Sequence, residues 1–507
     1  MSIKKKNSAE SKVNSSVPKG LRIASIVFII LEAVSLGILE GYLIYEGLLP
    51  DSYVTLIIGA TAGLIAVQVL LLLLFRKSKV VRILIMLLCV IIAAAAYFGG
   101  YTLYSSYQQI SETVVEDKVY SAYISVYVRN DSGIEDISGL EGKKIAVLTG
   151  MDQVNTVEGL AKLRESIDFE NVGYEDFHTQ CEALRNGDVD AIFINEAFLD
   201  IYLDDETDFD DWAVCVHRIG LDQTIEIDTV TAEVTKEPFI VYISGIDTRD
   251  YDEEFPDYSR TDSNIVAVVD PINKKISMVS IPRDYYVGLY GRSYQMDKLT
   301  HTGIYGIDCS LKTLSALLDI DFNYYVRVNF KSVVNIVDAL GGIDVYSEVA
   351  FSSPHGLSGT EYSFTEGWNY GLNGDMALAF ARERKSFEDG DVQRSKNEMA
   401  VIQAVLNKAM SASIIANFNQ VLSTCLSCVK TNMDVQDMNA LIRMQLSDMS
   451  SWTVEQYTIT GYDAMDYTYS QGTENQYYVM KEDYASVEGA KEFIQNALGS
   501  SEETEEG

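Results

Sequence analysis

Arg260-Thr-Asp262-Ser-Asn264-Ile-Val-Ala-Val-Val269-Asp-Pro-Ile-Asn-Lys274-Lys275-Ile-Ser-Met-Val-Ser-Ile281-Pro-Arg283-Asp284 reads as two apolar runs rich in β-branched residues, with charge at both outer ends. Asp270-Pro-Ile-Asn-Lys274 joins them, and its Pro and Asn favour a turn, so Asn264–Val269 and Lys275–Ile281 are expected to pair as an antiparallel hairpin. Such pairing brings Asp262, ahead of the first run, to the same sheet end as Arg283, beyond the second. Upstream, Phe239-Ile-Val-Tyr-Ile-Ser244 is a further strand that runs out into Gly245-Ile-Asp247-Thr-Arg249. If it lies parallel to the run ending at Ile281, then Asp247, Asp262 and Arg283 meet at one sheet edge, a usual place for a binding crevice.

More charge follows downstream, at Arg382-Glu-Arg384 and at Gly390-Asp391-Val-Gln-Arg394. Guanidinium groups hold phosphate oxygens through a planar fork of donors, and paired carboxylates anchor a hard cation that neutralises the same phosphates. Helical patterns at Cys309–Leu318, Phe330–Leu340 and Gln393–Met410, the middle one stopped by Gly341-Gly342, place helices against the sheet.

Before the hairpin, residues 105–236 alternate strand and helix patterns and form a smaller α/β lobe. Strands are read at Tyr123–Val128, Lys144–Leu148 and Ala191–Ile194, and a helix near Thr156–Glu165. Further back, Ile23–Tyr45, Tyr53–Phe75 and Ile83–Leu103 each meet the roughly 20 apolar residues that cross a bilayer as a helix. Basic residues precede the first run and separate the second from the third, whereas the other loop carries Glu46 and Asp51. Residues 1–22 are therefore expected to be a cytoplasmic tail, 23–104 three membrane helices, and everything beyond them extracellular. Glu32, inside the first run, is expected to face neighbouring helices. The net charge is −35 although the membrane segment is basic, so the rest repels polyanions and nucleic acid is excluded as a partner. The Glu- and Ser-rich residues 499–507 read as a disordered tail.

Taken in order, these clusters closely resemble the LytR-CpsA-Psr family of cell-envelope phosphotransferases. The resemblance is carried by Gly245 to Arg249, Arg260-Thr-Asp262, Ser280 to Asp284, Lys298-Leu-Thr-His301, Asp338 to Gly342, and Leu378-Ala-Phe-Ala-Arg382-Glu-Arg384 with Asp389-Gly-Asp391-Val-Gln-Arg394. It implies an α/β fold with a mixed central sheet flanked by helices over residues 237–498. The activity implied is transfer of a phosphate-linked glycopolymer from an undecaprenyl-pyrophosphate carrier to peptidoglycan. By the same resemblance Asp247 and Asp262 bind Mg²⁺ (or Mn²⁺), and Arg260, Arg283, Arg382, Arg384 and Arg394 hold the pyrophosphate. Asp262, Arg283, Arg382 and Arg384 then carry the catalysis, and the lipid tail lies in a tunnel between sheet and helices. Periodicity alone offers Phe322, Tyr324, Tyr325, Val328, Val333, Val337 and Leu340 as lining. Where the family usually has Gln four residues after the last arginine, this chain has Glu398.

Leu140-Glu-Gly-Lys-Lys-Ile-Ala-Val-Leu-Thr-Gly150 and Leu184-Arg-Asn-Gly-Asp-Val-Asp-Ala-Ile-Phe193 are similar to one lobe of the periplasmic solute-binding proteins. Those grip ligand between two lobes, so a single lobe points to a structural role or a protein partner. Two alternative functions stay open: a non-enzymatic envelope sensor that binds polyprenyl phosphate or a solute, and a lipid pyrophosphatase.

Overall fold

A computed structural model describes residues 17–499 except 46, 48–49, 117–118, 206–207, 225–226, 247–255, 388–389 and 412–417. Contacts divide it into a helical N-terminal unit and a larger α/β unit. The first is built from the helices Lys19–Tyr45, Asp51–Leu74 and Lys79–Glu116, each holding a stretch long and apolar enough to cross a membrane. Their outward faces carry large apolar side chains, and their polar groups turn inward. Glu32 is buried, and its Oε1 accepts a 3.0 Å hydrogen bond from Gln68 Nε2 on the next helix, so this carboxyl serves helix packing as expected. The third helix runs well past Leu103, and the first strand of the lobe begins at Val119, so the start read at residue 105 falls inside the helix.

The lobe is a five-stranded sheet of β1 (Val119–Arg129), β2 (Lys144–Leu148), β3 (Glu170–Tyr174), β4 (Ala191–Asn195) and β5 (Ala213–Thr224), ordered β3-β2-β4-β1-β5. β2 lies parallel to β3 and β4, whereas β1 runs antiparallel to β4 and β5.

The second sheet contains β6 (Phe239–Ile246), β7 (Thr261–Asp270) and β8 (Lys275–Ile281) at its centre. β7 pairs antiparallel with both β6 and β8, which makes β6 and β8 parallel, the condition under which their ends meet at one sheet edge. Tyr324–Asn329 joins β6 in parallel and is followed outward by Val429–Thr431, while Thr453–Thr458 joins β8 on the other side. The β7–β8 turn forms because Asp270 Oδ1 accepts from the amides of Ile272 and Asn273 at 2.9 and 3.0 Å.

Alternation along β7 sends its side chains to two separate cores. Val266 and Val268 pack on the side holding the helices Ile307–Leu318 and Tyr484–Gly499, and Ile265 and Ala267 meet Met399, Ile402 and Leu406 of the helix Gly390–Ala409. A third cluster gathers around the helices Phe330–Ala339 and Gly374–Arg382. Of the expected tunnel-lining residues, Phe322 and Tyr325 lie in the first of these cores and Val333, Val337 and Leu340 in the third. That set does not line one channel. The two glycines that end the helix Phe330–Ala339 sit at φ 76° and 90°, a conformation in which a side chain is strained.

The first core continues without a break into the lobe. Tyr120 Oη lies 2.9 Å from Tyr325 Oη, the Ser121 amide donates to Asp257 Oδ2 at 2.8 Å, and the Phe198 and Tyr305 rings meet edge to face at 5.6 Å. At the end of the lobe sheet Asn195 is buried and Asp152 beside it is partly buried. Asp152 sits in the field of Arg292, whose guanidinium lies over the Tyr305 ring.

Candidate active site

At the outer end of β7 the pairing with β6 slips between Gly245 and Ile246, so Asp262 falls in the irregularity and its side chain is re-aimed out of the ladder. Gly245 permits this close approach, since a Cβ there would stand 2.8 Å from Ser263 Cβ. Asn264 pairs with Ile281 in β8, and two residues further out on each strand Arg283 Nη1 donates to Asp262 Oδ1 at 3.0 Å. Thr300 Oγ1 donates to the same oxygen at 3.2 Å.

Helices deliver the other charges. Gly374–Arg382 is capped by the Asn373 side chain, which accepts from the Met376 amide, and its last residue, Arg382, lays its guanidinium 3.9 Å above the Phe330 ring. Phe330 opens the next helical wall, fixed by a reciprocal cap between Asn329 and Ser332. On Gly390–Ala409, Arg394 Nη2 donates to the Asp262 carbonyl at 3.5 Å, and Arg394 Nε lies 3.6 Å from Glu398 Oε1 one turn on.

Arg260, Asp262, Arg283, Arg382, Arg384 and Arg394 therefore line a single cleft of about 300 Å³. The structure gathers in one place six residues spread over more than a hundred positions of chain. Asp247, the other expected metal ligand, lies outside the described residues, as does Arg249. Lys385 also lines the cleft, so five arginines and a lysine face two carboxylates, Asp262 and Glu398. Burial pushes the Asp262 carboxyl up, but Arg283, Arg260 and Arg394 outweigh it and hold the group well below the usual carboxylate range. Glu398 differs: burial raises it to about 7, opposed by Arg394 and a hydrogen bond from Ser263 and reinforced by the neighbouring Asp262. Near neutral pH this position is thus partly protonated, and its neutral form presents no like charge to a phosphate.

His355, in the loop Ser353-Pro-His-Gly356, carries no sequence signal of a site, yet it lines the same cleft. Its carbonyl accepts from Arg382 Nη1 at 3.2 Å, and its Nε2 lies 3.7 Å from Oε2 of the buried Glu383. Burial raises the Glu383 carboxyl, but the Ser386 amide, the hydroxyls of Ser353 and Ser386, and His355 together hold it below its ordinary value. Glu383 therefore stays ionised beneath the imidazole. His301, by contrast, is buried against Asp297 at 2.6 Å, a structural placement away from this cleft.

Among the described residues no group of three or more His, Cys, Asp or Glu side chains is arranged to enclose a metal. The donor set suits a cation brought with its phosphates: Mg²⁺ is held by one or two carboxylates plus phosphate oxygens and water, and Asp262 is such a carboxylate.

Comparison with known proteins bears on this site. The chain is 36% identical over 218 residues to the polyisoprenyl-teichoic acid–peptidoglycan teichoic acid transferase TagU of Bacillus licheniformis, covering 43% of this chain and 65% of that one. It is 36% identical over 220 residues to the TagU of Bacillus subtilis, covering 43% of this chain and 68% of that one. The chain thus spans just under two thirds of the first of these relatives. Among solved structures, that of B. subtilis TagV aligns with a TM-score of 0.44 at 29% identity, over 52% of this chain and 98% of that one. A family model, that of the LytR_cpsA_psr family, matches residues 217–487, beginning within β5 rather than at the boundary read near 237. The match takes in more than half of the chain, and the chain belongs to the LytR_cpsA_psr family.

Proposed function

We propose that this protein is a membrane-anchored transferase that moves a phosphate-linked glycopolymer from a polyprenyl-pyrophosphate carrier to peptidoglycan. The observation that carries the reading is the convergence of five arginines on Asp262 in one open cleft. Guanidinium groups grouped this way can grip a multiply charged anion through their forks of donors, and a diphosphate offers several acceptor oxygens to them at once. The teichoic acid transfer named for the TagU relatives supports the substrate class.

In this reading Arg283 and Arg394, both held at Asp262, fix one phosphate, while Arg382 and Arg384 stabilise the charge that develops on the departing polyprenyl phosphate. Mg²⁺ or Mn²⁺, held by Asp262 with Asp247, would add neutralisation of the same oxygens. His355 takes the proton of the acceptor hydroxyl, and Glu383 beneath it stabilises the imidazolium that results. The acceptor oxygen bonds to the phosphorus next to the glycopolymer, the bond from that phosphorus to the bridging oxygen breaks, and the lipid leaves as its monophosphate. His355 then returns the proton to water.

The decisive experiment incubates the full-length protein in detergent or nanodiscs with a lipid-pyrophosphate oligosaccharide, peptidoglycan and Mg²⁺. Acceptor-dependent release of lipid monophosphate is expected. Release without acceptor would identify a pyrophosphatase, and no release beside a working control enzyme would remove the proposal. An extracellular site follows from the basic residues before the first helix and between the second and third. Cys215, exposed in the lobe, should accordingly react with a membrane-impermeant maleimide in intact cells.

A further inference from the structure

The short ribbon formed by Ile343–Ser347 and Gly367–Leu372 carries aromatic rings on its open side. Tyr346 pairs with Trp368 across the two strands, and Tyr370 follows two positions later on the same face. The rings make a continuous platform, Tyr346 to Trp368 at 5.6 Å and Trp368 stacked on Tyr370 at 6.3 Å with planes 23° apart. All three are more than half exposed, at 53%, 54% and 73%. The ribbon's inward residues, Ile343, Val345 and Leu372, already supply its core, so these aromatics are not needed to hold it in place.

Tyr346 and Trp368 form one wall of a second cleft, of about 480 Å³. The facing wall is the helix Gly390–Ala409, which presents Gln393, Asn397, Ala400, Gln403 and Asn407 at helical spacing. We propose that this cleft binds the glycan strand of the acceptor, with sugar rings laid on the Tyr346–Trp368–Tyr370 platform and their hydroxyl and N-acetyl groups bonded to the amides opposite.

Three properties of the cleft select that ligand. Flat aromatic surfaces receive the C–H face of a sugar ring, and amides both donate and accept, as a polyol requires. Gln393 Nε2 donates to Asn397 Oδ1 and Gln456 Nε2 to Gln403 Oε1, so a lipid tail would only desolvate this amide network, whereas a polyol can add hydrogen bonds to its outer groups. A polyphosphate would lack cations, since Lys396 is accompanied by Asp344 and Glu348, the latter 3.7 Å from its Nζ. Position adds a fourth argument. Gln393 and Asn397 immediately precede Arg394 and Glu398, which the same helix carries into the phosphate cleft, so the two clefts share one helical wall. A glycan bound in one lies about a helix width from a diphosphate bound in the other. Naming the acceptor rather than any glycan rests on the transferase reading above.

Trp368 is one of three tryptophans, which gives a direct probe. Peptidoglycan glycan fragments freed of peptide, titrated into the full-length protein in detergent, should change tryptophan emission. Trp368→Phe should abolish that change while calorimetry still finds binding. Tyr346→Ala with Trp368→Ala should weaken binding by at least roughly tenfold and raise the acceptor KM without altering the KM for the lipid donor. Unchanged glycan affinity in the double variant overturns the proposal, and binding only of the saccharide cut from the donor overturns its assignment to the acceptor. Because the binding measurement needs no turnover, a wild type that binds glycan yet transfers nothing sinks the transferase reading and the name of acceptor with it, but not glycan binding by this cleft.

Discussion

Two carboxylates in this molecule stand at equivalent places, each at a sheet edge where α/β proteins hold ligands, and the chain treats them in opposite ways. Asp262 is surrounded by guanidinium groups in a cleft open to solvent. Asp152, at the edge of the lobe, accepts hydrogen bonds from Asn155 Nδ2 at 2.6 Å and Asn195 Nδ2 at 2.9 Å. Its partners are neutral amides, already supplied, so little is left for a solute to satisfy. Both lie at the end of a sheet, Asp262 within β7 and Asp152 in the loop after β2. What separates a site from a scaffold joint is the kind of partner: guanidinium groups that can also grip a phosphate surround Asp262, and neutral amides hold Asp152.

The comparison breaks most visibly if the cleft tolerates loss of its charges. Asp262→Ala, or Arg382→Ala combined with Arg384→Ala, should lower transfer by roughly 10²–10³-fold or more, since each preorganised donor to a developing anion is worth about that much. Retention of near-normal transfer by the double variant would instead favour a sensor that merely recognises lipid phosphate. A circular dichroism melt for each variant separates lost chemistry from lost fold.

His355 comes next. His355→Gln should reduce turnover by roughly 10²-fold, within the usual range for a general base, while diphosphate affinity stays within about twofold. Added imidazole should restore part of the rate. Equal losses in turnover and in diphosphate binding would make His355 a support for Arg382, whose Nη1 bonds its carbonyl, and no more than that.

Why the sequence showed one of these groups and hid the other is a matter of distance and periodicity. Asp262 and Arg283 flank a hairpin whose turn and alternation are local, so antiparallel geometry alone placed them together. Arg382, Arg384 and Arg394 stand out in the sequence as clustered charge, the family resemblance assigns them the pyrophosphate, and the fold puts them in the same cleft. His355 sits in an irregular loop with no period to read, and its partner Glu383 was hidden between two arginines that drew attention for themselves. The edge strand β5 escaped because its outward residues are polar and its alternation weak. The third helix continued past Leu103 because helix propensity and membrane burial are different properties, and only the second ends where the apolar run ends.

A smaller effect is expected from pH. As pH rises through about 7, Glu398 loses its proton, pairs more strongly with Arg394, and sets a negative charge facing the phosphate. Affinity for a pyrophosphate diester, which does not itself titrate there, should fall roughly three- to tenfold between pH 6 and 8. Glu398→Gln should bind the same diester with no such fall. A decline of equal size in that variant would place the titrating group elsewhere.

The smallest effect on activity is expected at the lobe, where the contrast can be sharpened rather than broken. Burial raises Asp152 to about 6, against the hydrogen bonds of Asn195 and Asn155 and the field of Arg292. Between its ordinary value and about 6 the folded protein therefore holds a proton that the unfolded chain has released, so stability contributed by this group is full at low pH and declines as pH rises through that window. Asp152→Asn cannot titrate, and its unfolding midpoint should lose that slope between about pH 4 and 6. Transfer at pH 7 should stay within about twofold of wild type, because Asp152 touches the joint between lobe and catalytic region and none of the cleft. A loss of transfer comparable to that of Asp262→Ala, in a variant that remains folded, would mean that the lobe edge governs the chemistry after all, and that the division between the arginine-lined and the amide-held carboxylate is drawn in the wrong place.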